Sequence, residues 1–272
     1  MIEEFLKTFK EVSFTEKYNL TNGFLQKIDP RAKLISVISL ILAAVISNSI
    51  TSLLIFLTLI FILAFASRIS IKDFLFRSLF FITFFSIVIA IPNIFITPGE
   101  VIASFSIFSF KLQLTMQGFL STLHFILRVW MCVSSLILLN LTTKFSNIID
   151  SMKSLKIPKV FTMMFSITYR FLFLFINEAY RMILAKESRT IKKKMSKIDN
   201  IKTLGLIISS LFIRAYERGE RVYLAMKNRG YMGEMKSLSV IKFHLKDALF
   251  IFFFMLFIIL VLLSEVSNLW VI

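Results

Sequence analysis

Two arginines stand where the helices that precede them are predicted to end. Arg189 lies within Ser188-Arg189-Thr190, and Arg229 lies within Asn228-Arg229-Gly230. An arginine at a helix C-terminus is favoured by the helix dipole, and Gly230 suits the C′ position, so ordinary helix ends explain both triplets. The alternative interpretation is docking, because the rigid fork of guanidinium donors matches carboxylates in a groove of another protein.

Two long amphipathic helices are predicted to position these arginines. In the second helix, aliphatic and small residues recur at heptad spacing along one face, and only Arg218 interrupts this seam. The seam suits an antiparallel pair of closely packed helices, although helices on a membrane surface would show the same periodicity. With a shorter helix before Pro158, they form a predicted cytoplasmic or interfacial region over residues 143–246. The seam consists of Leu204, Ile208, Leu211, Ala215, Arg218, Val222 and Ala225.

The composition predicts a membrane protein. Of 272 residues, 57% are hydrophobic, and 32 Lys and Arg face 16 Asp and Glu for a net charge of +16. That leaves too little polar surface for a soluble domain. The predicted fold class is an all-α integral membrane protein with about five transmembrane helices plus long amphipathic cytoplasmic coupling helices. Residues 1–33 form a cytoplasmic segment, residues 34–142 a four-helix transmembrane region, and residues 247–272 the last transmembrane helix.

The predicted spans are stretches of about 20 apolar residues. Residues 34–66 are too long for one span and are interrupted at Ser47-Asn48-Ser49, which predicts a helical hairpin. The third span covers residues 78–97, with a kink rather than a break at Pro92. Residues 112–142 and 248–266 form the last two spans, and Trp270 is an interfacial anchor.

Lysine and arginine in the loops predict the orientation. Six basic residues precede the first span, three lie between the second and third spans, and one lies between the third and fourth. The positive-inside rule therefore places the N-terminus in the cytoplasm. Residues 161–176 are almost apolar enough to span the membrane but contain Arg170. A crossing there would place the basic segment that follows outside, so we favour a helix that lies in or partly enters the inner leaflet over a true crossing.

Several kinds of chemistry have no pattern in this sequence. No glycine-rich Walker A motif is present, and the first four predicted spans contain no acidic residue in their interiors. Two histidines and one cysteine form no metal-ligand cluster, so no cofactor is expected. For His124 and Arg128, which lie four residues apart, we favour hydrogen bonds between helices over a substrate site. Nucleic acid is not an expected partner, because the basic residues flank predicted spans.

Several motifs resemble the transmembrane (T) component of energy-coupling factor transporters, the family that includes CbiQ-type cobalt transport permeases. Residues 28–34, Ile-Asp-Pro-Arg-Ala-Lys-Leu, are similar to the family's Leu-Asp-Pro-Arg-x-Lys-Leu opening. Leu141-Thr142-Thr143, Leu155-Lys156-Ile157-Pro158 and Tyr169-Arg170-Phe171 resemble later family motifs. The two arginine triplets resemble the short motifs, commonly Ala-Arg-Gly, that end the family's coupling helices.

The resemblance implies a non-enzymatic scaffold in a bacterial or archaeal cell membrane. Its partners would be two ABC-type ATPases, which bind ATP and magnesium, and a small membrane protein that captures a vitamin or a cobalt or nickel ion. Arg189 and Arg229 would each dock into one ATPase. Two other functions stay open: an ATPase-independent facilitator, and a multispan membrane enzyme with a basic cytoplasmic face.

Overall fold

The structure is a computed structural model that describes residues 23–80, 84–107, 110–155, 157–189, 197–233 and 244–269. These residues divide into two compact units. Residues 23–145 with 244–269 form the first, which we call the bundle unit. Residues 146–233 form the second, which we call the pair unit.

The described residues are mostly helical, which confirms the predicted all-α membrane fold class. A single 3₁₀ turn at Leu25–Lys27 precedes the first α-helix. In chain order, the elements are α1 (Pro30–Ile46), α2 (Ile50–Ala66), α3 (Ile71–Ser78), α4 (Phe84–Ile96), β1 (Val101–Ile107), β2 (Phe110–Thr115), α5 (Met116–Thr142), α6 (Phe145–Ser154), α7 (Lys159–Arg189), α8 (Lys197–Asn228) and α9 (Leu245–Leu269).

Helix α5 is the centre of the bundle unit. Helices α1, α2, α3 and α4 all pack along it, while α9 packs against α1 and α2. Met131, Leu138 and Leu141 of α5 are buried in one continuous apolar core with residues of α1, α2, α3 and α9. Gly118 permits the close approach of α4, because a Cβ atom at this position would lie 2.7 Å from the Ile94 carbonyl oxygen.

The chain breaks between α1 and α2 at the predicted position, residues 47–49. Glu265 of α9 holds this turn, accepting hydrogen bonds from Ser47 Oγ at 2.9 Å, Asn48 N at 2.6 Å and Ser52 Oγ at 3.0 Å. Arg128 of α5 donates to the Ser47 carbonyl oxygen at 2.7 Å. The interhelical hydrogen bond expected for Arg128 is therefore present, and Glu265 is a contributor that the sequence analysis missed.

The third and fourth predicted spans differ from the helices in the structure. Helix α3 ends at Ser78, where the third span was expected to begin, and α4 begins at Phe84 with Pro92 inside it. Residues 112–115 belong to β2, which pairs antiparallel with β1, so α5 begins at Met116 instead of Leu112. Residues 110–115 alternate apolar and polar types, which is the periodicity of a strand. Thr115 then caps α5, its Oγ1 accepting from Gly118 N at 3.2 Å.

Three helices among the described residues are long and apolar enough to cross a membrane: Met116–Thr142, Lys159–Arg189 and Leu245–Val266. Ile50–Ala66 and Phe84–Ile94 are shorter apolar helices. Since α7 is long and apolar enough to cross a membrane, the placement of residues 161–176 in the inner leaflet stays a prediction. The count of five crossings stays a prediction too. Trp270, the predicted interfacial anchor, lies outside the described residues.

Candidate docking sites on the helix pair

Helices α7 and α8 of the pair unit run antiparallel. Met163, near the start of α7, meets Tyr231, just after the end of α8, where the tyrosine hydroxyl donates to the methionine sulfur. Further along, Ser210 Oγ donates to Met182 Sδ at 3.2 Å. In an antiparallel pair, the residue number on one helix falls as the number of its contacting partner rises, so the sum of the two stays constant. The two contacts have nearly equal sums, so they belong to one antiparallel register. The predicted antiparallel packing of the two amphipathic helices is therefore present.

This register places the two candidate arginines at opposite ends of the pair. Extending the contacts of Met182 with Ser210 places Arg189 level with the neighbourhood of Leu204 on α8. At 1.5 Å of rise per residue, the distance along α8 from there to Arg229 is about 37 Å. The two triplets are thus separate sites, and one small surface on a partner cannot contact both.

The end of α8 is a Schellman motif centred on Gly230. Gly230 has φ of +78°, and its N–H donates to the Lys227 carbonyl at 3.1 Å. The Tyr231 N–H reaches back to the Met226 carbonyl at 3.0 Å, which completes the motif. The prediction of Gly230 as the C′ residue is confirmed. Arg229 is consequently the C-cap, exposed to solvent with Asn228 before it.

The end of α7 also presents its arginine to solvent. Arg189 is the last helical residue and is exposed, as is Ser188, whose hydroxyl donates to the Leu184 carbonyl at 2.9 Å. Thr190, the third member of this triplet, lies outside the described residues. Within the described ranges no ion pair involves Arg189 or Arg229, so both guanidinium groups can bind a partner's carboxylates.

The residues of the predicted seam on α8 differ in their burial. Leu204, Leu211, Ala215, Arg218 and Val222 are half-buried, whereas Ile208 is 65% exposed and Ala225 is exposed. Ile207 and Met226 are half-buried instead. A straight helix has 3.6 residues per turn, so a strict seven-residue repeat drifts by about 20° per heptad relative to the contact face. The contact face therefore departs from the heptad positions at Ile208 and Ala225, where Ile207 and Met226 are half-buried instead.

Arg218, the one charged residue of the seam, has a charged partner on the other helix. Its Nη1 lies 3.4 Å from Glu178 Oε2, and Arg214 Nη1 donates to Glu178 Oε1 at 3.0 Å. Glu178 was missed by the sequence analysis. The available signal was the arginine itself, because a charge on a packed helix face requires an opposite charge facing it.

The Asp-Pro-Arg-x-Lys stretch before the predicted first span joins three helix ends in the bundle unit. Asp29 caps α1, accepting from Arg31 N at 2.8 Å, and Pro30 occupies the first helical position. Lys33 donates to the carbonyl oxygen of Thr142, the last residue of α5, at 3.0 Å. Asp247 of α9 accepts from the Asp29 N–H at 2.9 Å. We call Asp29, Lys33, Thr142 and Asp247 the boundary cluster.

Burial dominates the electrostatics of the boundary cluster. Lys33 is 4% exposed, Asp29 6% and Asp247 4%. Burial lowers the pKa of Lys33 from 10.5 to about 8, and the nearby carboxylates of Asp29 and Asp247 oppose this shift. Asp247 also accepts from the His244 N–H at 2.9 Å, so one carboxylate caps the entry of α9 while holding the entry of α1. The motif quoted for the family resemblance therefore has a structural role.

Among the described residues, no group of three or more His, Cys, Asp and Glu side chains is arranged to hold a metal ion. The candidate docking sites consist of exposed guanidinium groups at helix ends. Their geometry suits the binding of acidic protein surfaces.

Comparison with known proteins relates most of the chain to one family. A family profile described as cobalt transport protein, CbiQ, matches residues 21–239, a range that contains both arginine triplets. An uncharacterized protein of Methanocaldococcus jannaschii is 34% identical over 255 residues, which cover 93% of this chain and 86% of the relative.

Two relatives are named energy-coupling factor transporter transmembrane protein EcfT. The protein from Staphylococcus aureus is 29% identical, with 86% of this chain and 90% of the relative covered. The protein from Macrococcus caseolyticus is 28% identical, with 78% of this chain and 82% of the relative covered.

Proposed function

Since this chain belongs to the CbiQ family of cobalt transport proteins, we propose that it is the transmembrane coupling subunit of an energy-coupling factor importer in a prokaryotic cell membrane. It catalyses no reaction itself. Two ABC-type ATPases bind ATP and magnesium, and a small membrane protein captures the transported vitamin or cobalt or nickel ion. The EcfT names of the relatives support this assignment.

The single observation that carries the docking part of the proposal is the placement of Arg189 and Arg229. They lie at opposite ends of an antiparallel helix pair, are exposed, and have no ion-pair partner within the described residues. Two ATPases that close and open upon ATP binding and hydrolysis require two separate contacts on the membrane subunit. Each arginine supplies one contact, and motion of the ATPases reaches the membrane through α7 and α8.

The orientation belongs to the same proposal. The pair unit carries the docking sites, so it faces the cytoplasm, where the ATPases bind ATP. This agrees with the N-terminus-inside orientation derived from the basic loops.

The experiment is co-purification of the ATPases with the tagged chain from its native membrane, with Arg189→Ala, Arg229→Ala and the double variant. Each truncation is expected to cost about 2–5 kcal/mol of binding, because it leaves a carboxylate of the partner unpaired. Single variants should retain part of the ATPase, and the double variant should retain none while still inserting into the membrane.

Arg181→Ala is the matched control, since Arg181 is an exposed arginine on α7 away from both ends. Its complex should have the wild-type composition in mass spectrometry. A double variant that keeps stoichiometric ATPase would refute the docking role. A wild-type chain that is well folded but brings down no ATPase would refute the transporter assignment and favour a facilitator.

A further inference from the structure

Glu178 of α7 is held between two arginines of α8. Arg214 Nη1 lies 3.0 Å from Oε1, and Arg218 Nη1 lies 3.4 Å from Oε2. The Glu178 side chain is 17% exposed, so solvent screens it less than a freely exposed carboxylate. The Arg218 guanidinium also lies over the Phe175 ring at 5.8 Å from its centroid, which is within cation–π range. These contacts define the register of α7 on α8 in this structure.

The arginines on α8 continue beyond this contact. Arg221 follows Arg214 by seven residues and Arg218 by three, so on an ideal helix the three side chains start within an arc of about 60°. We call Arg214, Arg218 and Arg221 the arginine row. Arg221 is 68% exposed, and its ion-pair partner within the described residues is Glu217 of the same helix, at 3.8 Å. A carboxylate moving one turn along α8 would leave Arg214 and lie between Arg218 and Arg221.

Open space between the two helices near Glu178 gives room for such a shift. A cleft of about 310 Å³ lies between α7 and α8. On the α8 side, Ala215, Gly219 and Val222 line it beside the larger Arg218 and Met226. On the α7 side, Thr168 and Leu172 line it beside Phe171 and Phe175. The open volume gives the larger side chains room to move when the register between α7 and α8 changes.

We propose that Glu178 and the arginine row form a two-position ratchet that sets the register between α7 and α8. The structure shows the first position, with Glu178 between Arg214 and Arg218. In the second position, Glu178 lies between Arg218 and Arg221, one helical turn of about 5.4 Å further along α8. This inference rests on the proposed function, because the two ATPases supply the displacement at the helix ends.

The two positions give the ratchet a physical advantage over a simple hinge. Arg218 contacts Glu178 in both positions, so the carboxylate always keeps one partner while it exchanges Arg214 for Arg221. Intermediate registers leave the carboxylate with weaker pairing, and this favours two discrete arrangements over continuous sliding. A two-state element of this kind converts a movement at Arg229 into a defined movement at Arg189.

A disulfide reports the first position. Met182 and Ser210 touch across the pair, with 3.2 Å between Sδ and Oγ, so Met182→Cys with Ser210→Cys should cross-link there. The native Cys132 is replaced by Ala in this parent chain. The parent is purified with its ATPases and oxidised with and without the slowly hydrolysed analogue ATPγS. Cross-linking should be efficient without nucleotide and should fall with ATPγS, since the second position separates the two cysteines by one turn.

Arginine variants then test each position separately. Arg221→Gln weakens the second position, so the fall in cross-linking with ATPγS should be smaller than in the parent. Arg214→Gln weakens the first position, so cross-linking should already fall without nucleotide. Arg181→Gln, the same substitution outside the row, should behave like the parent. All three arginines are exposed, so these variants should fold, and each is checked by gel filtration in detergent.

The outcomes separate this inference from the proposed function. A parent complex whose cross-linking does not respond to ATPγS, or an Arg221→Gln complex that responds as the parent does, would overturn the ratchet while leaving ATPase docking intact. If no ATPase co-purifies, the proposed function fails. The free chain then still tests the first position, and equal cross-linking in Arg214→Gln and Arg181→Gln would overturn it.

Discussion

The bundle unit and the pair unit use charged side chains in opposite ways. In the bundle unit, Lys33 and Asp247 are buried and bind backbone groups at helix ends: the Thr142 carbonyl and the N–H groups of Asp29 and His244. In the pair unit, Glu178 binds the side chains of Arg214 and Arg218 from the middle of one helix to the middle of another.

This difference indicates which unit can change register. A helix has one N-terminus and one C-terminus, so a side chain that caps an end has a single correct position. Side chains on a helix surface repeat with every turn, so a contact between two helix middles has an equivalent one turn away. The bundle unit is therefore built as a fixed scaffold, and the pair unit as an element that can move.

The largest effect is expected from breaking the boundary cluster with Asp247→Ala. The substitution leaves the buried Asp29 N–H and the partly buried His244 N–H without an acceptor, and it removes a negative charge from beside buried Lys33. The free energy of unfolding should fall by about 3–5 kcal/mol. Thermal unfolding in detergent measures the loss.

Asp199→Ala is the matched control for Asp247→Ala. Asp199 is also an acidic residue in the first turn of a helix, but it is exposed. Its substitution should change stability by less than about 0.5 kcal/mol. Equal losses of unfolding free energy in the two variants would show that the buried cluster stabilises the protein no more than an exposed carboxylate does.

A smaller effect concerns pH and Lys33. The pKa of Lys33 is about 8 in the folded protein and 10.5 in the unfolded chain, so between these values the unfolded chain binds more protons. Stability should therefore rise as pH increases from 8 to 10.5, because the cost of burying the charge is relieved. The full gain is on the order of 3 kcal/mol.

Lys33→Met should remove this gain. The difference in unfolding free energy between wild type and variant is followed across the same pH window, so that other lysines cancel. A difference that stays constant with pH would mean that Lys33 is solvated, contrary to its 4% exposure.

The sequence predicted the local features of both units. The break at residues 47–49 and the C′ position of Gly230 follow from residue types alone, and the amphipathic helices follow from periodicity. The start of α5 was placed four residues early, because the apolar count over residues 112–115 outweighed their strand-like alternation. The two arginine triplets are visible in the sequence. Their separation at opposite ends of the helix pair could be established only from the register of α7 on α8 in the structure.

The long-range contacts could not be predicted from local patterns. Asp29 and Asp247 are 218 positions apart, and no spacing rule connects them. Arg218 marked an irregular position in the seam, but Glu178 lies 36 residues before Arg214 on another helix, so the partner emerged only from the fold. The role of Glu265 likewise could not be predicted, because this residue of α9 binds the turn at residues 47–49 near the other end of the chain.

The smallest effect on stability is expected from Glu178→Gln. Arg214 is 56% exposed, and ion pairs of this kind contribute about 0.2–1 kcal/mol, because water and side-chain entropy offset the attraction. The unfolding free energy should therefore fall by less than about 1 kcal/mol, close to the effect of Glu217→Gln, which removes an exposed pair within α8. Both variants are measured by thermal unfolding beside Asp247→Ala.

A loss of unfolding free energy for Glu178→Gln as large as that for Asp247→Ala would show that the pair unit is fixed as rigidly as the bundle unit. A small loss, together with cross-linking between positions 182 and 210 that no longer responds to ATPγS, would separate the register of the pair from its stability.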